Sequence, residues 1–536
     1  MGPHWPKILV ISTAVLVAGG AALGITLSVL PDDSGEAKPG ASPSSSAPSS
    51  PSPSAPKGPQ RLGPAPSVIP AVRDWQPVRG PGWKPGDGTR IVADPDGSLA
   101  DEARLLAREL KVSFHKGPAR TGDVELRLAG DSKIKREGYL LSSRDGQVRI
   151  TGSSDAGVFY GTRTLLQTVR ARGAFADGVV RDHPDRAQRG FMLDIARKHF
   201  SADWIEARIR QMGDLKLNQF QLHLSDDQAF RVESDSHPEI VSNPRLTKKE
   251  IRGIVKLAAS RHITVIPEID SPGHLGAVLK AHPGLQLKNA SGTPVPGAVD
   301  IADPAAGKLI DELLNEYADL FPGKYWHLGG DEYRALTAED PEAAYPHLAA
   351  TAQRRHGGNA DVQDLATAWL NDRAETVRKH GKTPQVWNDG MHPGGTVRPS
   401  KPREVTYWTG KEIGAREPVE YLKEGWPVLN LNDEYLYYVL GEPNEFTYPT
   451  GERIYREWTP AVLRGTEPVP AKLAGPERIL GGRFAVWCDL ADSQTTEQVA
   501  DGIRLPLFAT AQKLWDPRPP KPSWQQFTKL ADRVEG

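Results

Sequence analysis

One cysteine, Cys488, stands in 536 residues. An internal disulfide framework and a cysteine-rich metal site are both excluded. No sign of charge prevails either: 66 Lys and Arg face 67 Asp and Glu, a net charge of -1. Without a global field the chain is not drawn to nucleic acid or to an anionic membrane, and its ligand is not selected by bulk charge. HExxH and clustered His/Cys spacings are missing too, and with them the sequence marks of a metal centre. What is present is 38% hydrophobic and 25% charged, a globular composition able to bury a sizeable core.

A long uncharged run, Ile8 to Leu30, follows Lys7. At about 1.5 Å per helical residue it is long enough to cross a bilayer, and it exceeds a simple secretory h-region of about 7–15 residues. No cysteine follows it and no twin arginine lies near it, which excludes a lipoprotein anchor. Residues 1–30 are therefore expected to be a signal-anchor or signal peptide, which puts the body outside the cytoplasm, tethered to the membrane by this segment or secreted after its cleavage. From 31 to 66 Pro, Ser, Ala and Gly dominate, with too little apolar surface to offset the entropy of ordering; this stretch is the expected tether. A small α/β accessory domain is expected over 67–185 and a larger body over 186–536.

In that body short apolar runs alternate with amphipathic ones. Eight runs read as strands: 190–196, 220–227, 263–270, 325–332, 383–390, 404–410, 427–433 and 483–490. Between them 201–215, 247–261, 304–321, 362–380 and 495–515 read as helices, with Ser201 and Thr247 as N-caps. Eight strand–crossover units favour a closed (β/α)8 barrel, with a doubly wound open sheet as the rival. Reactive residue types recur at the strand ends: Arg197, Asp226, Asp270 with His274 beyond, Asp331 and Glu332, Trp387 and Asp389, Trp408, Tyr435, Trp487 and Asp489. Barrels carry their sites on that rim, so this phase favours the barrel.

The run YWHLGGDEY (325–333) concentrates the question. Gly329 and Gly330 let the backbone bend as it leaves the strand, so that two adjacent carboxylates, Asp331 and Glu332, address one pocket instead of opposite faces. Enclosed together they cannot both ionise easily, and one is expected to hold a proton while the other stays an anion. Glycosidic bond cleavage needs that division. Yet adjacent residues suit an attack from opposite faces of a sugar poorly, so the nucleophile need not be a second carboxylate.

RGFMLDIARKHF, LHLSDDQAFR, IPEIDSPGHLGAVL, YWHLGGDEY, VWNDGM, TYWTG and FAVWCDL follow one another in this order over the barrel. Together they resemble the family 20 glycoside hydrolases, the β-N-acetylhexosaminidases, and the preceding α/β unit resembles that family's accessory domain. The resemblance implies exo-cleavage of N-acetylhexosamine-containing glycans without metal or nucleotide, with retention, the substrate's own 2-acetamido oxygen closing onto the anomeric carbon. It implies that Glu332 is the general acid and then base, and that Asp331 holds the acetamido N–H and steadies the oxazolinium charge. Arg197 is implied to grip outer sugar hydroxyls, Asp226 and His274 to back the acid, Trp387, Trp408 and Trp487 to wall the pocket, and Tyr435 to bond the acetamido oxygen. Two departures stand out: Tyr437 where chitobiase-like members carry Asp, and Asp489, one methylene shorter than their Glu. The run around Tyr435 is closer to dispersin-like members, which cut β-1,6-linked N-acetylglucosamine, and Asp489 resembles lacto-N-biosidase-like members that accept a disaccharide. A rival from another class is a surface carbohydrate-binding protein on a degenerate barrel; the intact Asp331–Glu332 pair argues against it.

Overall fold

The computed structural model describes residues 62–130, 134–410 and 415–535; the expected N-terminal segment 1–30 and the tether up to residue 61 lie outside the described residues. Residues 59–536 form one compact unit. Its first part is a mixed sheet of β1 (Asp74–Pro77), β2 (Arg90–Val92), β3 (Ser113–His115), β4 (Val124–Leu128), β5 (Tyr139–Arg144), β6 (Gln147–Gly152) and β7 (Gly178–Asp182), in the order β1-β7-β5-β6-β4-β2-β3. Strands β5 and β6 alternate, Tyr139, Leu141, Val148 and Ile150 pointing inward, the period expected of a sheet with one covered face.

The cover is the helix Asp155–Arg172, capped by Ser154 and ended by left-handed Gly173. It is buried along most of its length because its other side meets the second part of the molecule. There polar residues are paired rather than apolar. Arg163 bonds Glu109 and Asp214, and Lys216, fully buried, donates to Thr164 at 2.8 Å and the Tyr139 hydroxyl at 3.0 Å, with Asp182 at 3.5 Å.

The second part is a closed parallel barrel. Its strands are β8 (Gln188–Asp194), β9 (Gln219–His223), β10 (Thr264–Glu268), β13 (Tyr325–His327), β14 (Thr383–Trp387), β15 (Glu404–Tyr407), β16 (Val428–Asn430) and β18 (Ile479–Trp487). A hairpin of β11 (Gln286–Lys288) and β12 (Pro294–Val299) interrupts the loop after β10. Closure is shown by the pairing of β18 with β8, Arg483 opposite Gly190, and with β16, Val428 opposite Ile479. All eight expected strands are present, and each ends two to five residues before its sequence run does, because the C-terminal residues of each run bend into the rim. The helices Ala202–Asp214, Lys248–Ala259, Pro304–Tyr317, Val362–Lys379 and Thr496–Trp515 occupy the expected places. Ser201 caps the first, and Thr247 closes a capping box with Glu250 on the second.

The seventh strand departs from the simple pattern. β16 ends at Asn430, a single helical turn Asp433–Leu436 follows, and β17 (Tyr437–Val439) rejoins the sheet beside β18, Tyr437 opposite Ala485. The lumen also differs from a greasy barrel core: buried Arg483 donates to Gln219, Gln221 and Gln385, and Glu404 accepts from Gln188 and Gln385. Satisfied in this way, buried polar groups fix orientation instead of costing stability outright.

Candidate active site

One rung of the barrel prepares the chemistry above it. Asp194, His223, Glu268 and His327 are register neighbours on β8, β9, β10 and β13. Glu268 Oε1 accepts the Trp387 indole N–H at 2.7 Å and lies 3.1 Å from His327 Nδ1, while its Oε2 lies 3.2 Å from His223 Nδ1. Burial alone would lower the His223 pKa, but Glu268 and Asp226 push it well above the usual value. The rung thus delivers a positive imidazole to Asp226, whose Oδ2 is 2.8 Å from His223 Nε2. Burial would raise the Asp226 pKa, yet His274, His223 and Arg197 hold it well below the carboxylate range.

Asp226 passes that order on to His274, whose Nδ1 is 3.3 Å from Asp226 Oδ1. On its other side His274 Nε2 lies 3.3 Å from Glu332 Oε2 and 3.6 Å from Asp331 Oδ2. These last two are ion-pair approaches without the alignment of a hydrogen bond. His274 and Glu332 both stand on left-handed backbone, φ 54° and 49°, strain of about 1–3 kcal/mol each that persists only where surroundings impose it. The two glycines act as expected: Gly329 and Gly330 take φ 69° and 101°, and a Cβ on Gly329 would lie 1.7 Å from Asp270 Oδ1. That oxygen accepts the Gly330 N–H at 2.8 Å, and Asp389 Oδ2 accepts the Glu332 N–H at 2.9 Å.

The bend sends the two carboxylates to different environments around one pocket. Asp331 is 8% exposed, whereas the Glu332 side chain is 44% exposed. Burial, opposed chiefly by His274, raises the Asp331 pKa, and burial and Asp331 raise that of Asp270 well above its usual value. Glu332 is lowered, first by its contact with His274. The division of one proton holder and one anion therefore exists, but in the free protein it runs opposite to the roles that the resemblance implies. Asp331 and Asp270 form the proton-holding pair, and Glu332 is the anion beside a charged His274, because that imidazole faces Glu332 across the mouth of the pocket. Asp331 Oδ1 and Asp270 Oδ2 are both buried and receive no N–H or hydroxyl from another residue; the hydrogen bond between the two carboxyls is part of what raises Asp270 and restrains the rise of Asp331.

Aromatic rings enclose this group. Trp387 and Trp487 meet at 5.8 Å, Trp408 stacks on Tyr437 at 5.7 Å and 5°, and Tyr437 lies 6.0 Å from Trp487. The Trp408 indole is fixed by Asp389 Oδ1 at 3.0 Å; burial and Asp331 push the Asp389 carboxyl up to about 7. The Trp487 N–H is buried beside the Tyr437 hydroxyl. Arg197 closes the far side, bonded to Asp194 at 3.0 Å and Asp226 at 2.8 Å and lying 5.4 Å over the Trp487 ring. Burial notwithstanding, Asp194, Asp226 and Asp489 raise its pKa, so it is a permanent cation. Asp489 is exposed at the rim.

Of the residues expected in the site, Arg197, Asp226, His274, Asp331, Glu332, Trp387, Trp408 and Trp487 are brought together and Asp489 stands beside Arg197. Tyr435 is not among them. It sits in the turn that interrupts the seventh strand, where its hydroxyl donates to Glu457 at 3.2 Å and Arg453 covers its ring at 4.4 Å. The turn rotates the chain, so Tyr437, read from the sequence as a departure, is the tyrosine among the tryptophans. Asp194, His223, Glu268 and Asp270 were given no role by the sequence, nor was Asp389. The Asp194–His223–Glu268–His327 rung exists only through strand register, which no run of the sequence states.

Comparison with known proteins agrees with this architecture. The catalytic-domain model of glycosyl hydrolase family 20 matches residues 187–518 and that family's domain 2 matches residues 65–183. The chain is 29% identical over 479 residues to a lacto-N-biosidase of Bifidobacterium bifidum, covering 88% of this chain and 41% of that protein. It is 28% identical over 467 residues to a β-hexosaminidase of Porphyromonas gingivalis, 78% of this chain and 56% of that one. Against a β-N-acetylhexosaminidase of Cellulomonas fimi it is 28% identical over 499 residues, 87% and 92% of the two chains. The chain thus spans only part of the length of the first two relatives. A mutant Streptomyces plicatus β-hexosaminidase in complex with its product GlcNAc superposes with a TM-score of 0.69 at 26% identity, covering 89% of this chain and 95% of that one. With more than half of its length matched by the catalytic-domain model and that domain folded as a closed barrel, the chain belongs to glycosyl hydrolase family 20.

Proposed function

We propose that this protein is a retaining exo-β-N-acetylhexosaminidase acting on N-acetylhexosamine-containing glycans. The observation that carries the reading is the buried Asp331 Oδ1, which receives no N–H from the protein, next to a histidine-backed Glu332 inside an aromatic chamber. A sugar amide is the group that fits: its N–H meets the idle carboxylate oxygen, and its methyl meets indole faces. Held in this way, the amide carbonyl oxygen attacks the anomeric carbon. The bond to the leaving oxygen breaks with its electron pair, and that oxygen takes a proton from Glu332. Asp331 balances the positive oxazolinium. Water then attacks the anomeric carbon, giving its proton to the Glu332 carboxylate and restoring the amide.

At rest the proton needed for this step sits on His274. A sugar seated on Glu332 removes water from the carboxylate and raises its proton affinity, so the proton crosses the 3.3 Å gap from His274. In the same event the proton that Asp331 and Asp270 hold together settles on Asp270, which leaves Asp331 an anion able to accept the amide N–H. Glu332→Gln should abolish turnover of alkyl glycosides, a loss of at least about 10²–10⁴-fold, and spare activated aryl glycosides in part. If purified protein released no aryl alcohol from aryl N-acetyl-β-glucosaminides or galactosaminides or from an aryl lacto-N-bioside, the reading would be wrong.

A second reading within the family is release of a disaccharide. It is supported by Asp489, whose shorter carboxylate stands exposed beside Arg197 instead of closing over the outer hydroxyls, and by the relative named lacto-N-biosidase. Relative kcat/KM on monosaccharide and disaccharide aryl glycosides separates the two. The surface-binding alternative is not favoured, since a binder has no use for the proton-sharing carboxylates. From Lys7 and the run that follows we also read the body as extracellular, held through the tether; protection from added protease in intact cells would contradict that.

A further inference from the structure

The loops after β9 and β10 hold a second polar cluster, partly exposed and sharing no residue with the site above. His237 and Glu239 come from the first loop, around the single turn Pro238–Ile240, and His282 from the second, just beyond the helix Gly276–Ala281. His237 Nδ1 is 3.0 Å and His282 Nε2 2.8 Å from the same oxygen, Glu239 Oε1. One donor atom from each of the three residues lies within 4.8 Å of the others. On its far side His237 Nε2 is 3.1 Å from Glu312 Oε2, on the helix Pro304–Tyr317.

We propose that His237, Glu239 and His282 form a structural site for a divalent cation of the zinc class. The donor set, two imidazoles and a carboxylate, is that of Zn²⁺ and its borderline neighbours rather than of Ca²⁺ or Mg²⁺. Bonds of about 2.0–2.1 Å place tetrahedral ligand atoms about 3.3 Å apart, so the cluster needs to open by only a few tenths of an ångström, leaving a fourth position to solvent. Independent support lies in Glu312. A neutral imidazole has one N–H, yet His237 faces a carboxylate through each nitrogen. With a cation on Nδ1 the neutral ring satisfies both sides: its lone pair binds the metal and its Nε2–H goes to Glu312. Ligating histidines are oriented by such an outer carboxylate in general.

The ligands are also fixed in advance. The loop before His237 is tied to Glu316, which accepts from Ser234 Oγ at 2.7 Å and from the Asp235 and Ser236 backbones at 2.6 and 3.2 Å. The His237 N–H then donates to Ser234 Oγ at 3.0 Å. His282 is held through its own N–H to Val278 O at 3.0 Å. An ion here would join the loop that carries Asp226 to the loop that carries His274, and so stiffen the support of Glu332 from outside. No motif announces it, because His237 and His282 stand 45 positions apart with no regular spacing between them.

The test uses the full chain, free of any histidine tag and stripped with a chelator, titrated with ZnCl2 and with CoCl2. One equivalent should bind tightly, the cobalt form should show the visible absorption of a four- or five-coordinate ion, and the melting midpoint should rise with zinc. Glu312→Gln should weaken binding about 10–100-fold, and His282→Gln and Glu239→Gln more. All three metal-free variants should keep the wild-type rate and melting midpoint, as these side chains lie outside the reacting groups. Equal binding by wild type and His282→Gln would overturn the proposal by placing the ion elsewhere. So would the absence of any stoichiometric binding, which would leave the cluster a set of surface hydrogen bonds only.

Discussion

Among single residues the pivotal one is Tyr437. Its ring lies flat on Trp408 and its other ring neighbours are Trp487 and Phe446, whereas Tyr435 is engaged with Glu457 and Arg453. Removing one donor aimed at a developing charge costs about 10²–10³ in kcat. Tyr437→Phe should therefore lose activity on that scale, and Tyr435→Phe less than about twofold. Steady-state kinetics on an aryl N-acetyl-β-glucosaminide compares the two directly, and the reverse ranking would return the role to Tyr435. Asp389 supplies a second residue-level expectation. Its pKa is raised, by burial and by Asp331, to about 7, far above the unfolded value of about 3.9. Between those two pH values the folded state binds more protons, so stability is fully present below about 4 and falls as pH rises through 7. Asp389→Asn cannot titrate and misses this loss. Its stability deficit against wild type, from urea unfolding, should be smaller at pH 8 than at pH 5; an equal deficit at both would contradict the assigned protonation.

For the elements, the ends of strands carry the argument. The turn after β13 must place Asp331 and Glu332 on one pocket, and Gly329 makes this possible with its left-handed backbone pressed on Asp270. Gly329→Ala adds a Cβ where Asp270 Oδ1 already lies, so the turn has to shift. A displacement near 1 Å of a catalytic group costs on the order of 10²-fold, and the variant should lose at least that much kcat; near-wild-type turnover would show that the turn is not what positions the pair. Strand and helix periodicity made the barrel legible, since each crossover helix hides an apolar stripe and each strand is short and apolar. The seventh strand was misread in one respect: a helical turn of four residues, Asp433–Leu436, is too short for any period to reveal. The same turn carries Tyr435, which the resemblance singled out, to Glu457 and Arg453 and sets Tyr437 among the tryptophans. The polar rung beneath the site was unreadable for another reason, since His223 and Glu268 become neighbours only through strand register, which a single sequence does not state.

In the whole molecule, the accessory sheet and the barrel share one polar seam. Lys216 from the barrel is buried against Tyr139, Thr164 and Asp182 of the accessory part, with Trp515 of the last long barrel helix 4.6 Å away over its ammonium. Burial lowers its pKa to about 8, opposed by Asp182. Removing one partner of a buried charge pair costs about 3–5 kcal/mol, so Asp182→Ala should lower the unfolding free energy of the whole body by that amount, in a single urea transition. Two separated transitions, only one of them shifted, would show that the parts fold independently. The site itself depends on this rigidity, since its eight strand ends come from one closed barrel.

The central claim is that the substrate's amide oxygen, not a protein carboxylate, displaces the leaving group. It is tested most directly by turnover of aryl β-glucosaminides whose N-acetyl group carries none, one, two or three fluorines. Each fluorine weakens the carbonyl oxygen as a nucleophile, and the account predicts that kcat/KM falls steeply and monotonically along the series. A series that stays flat would mean that the amide takes no part in bond making, and would contradict it.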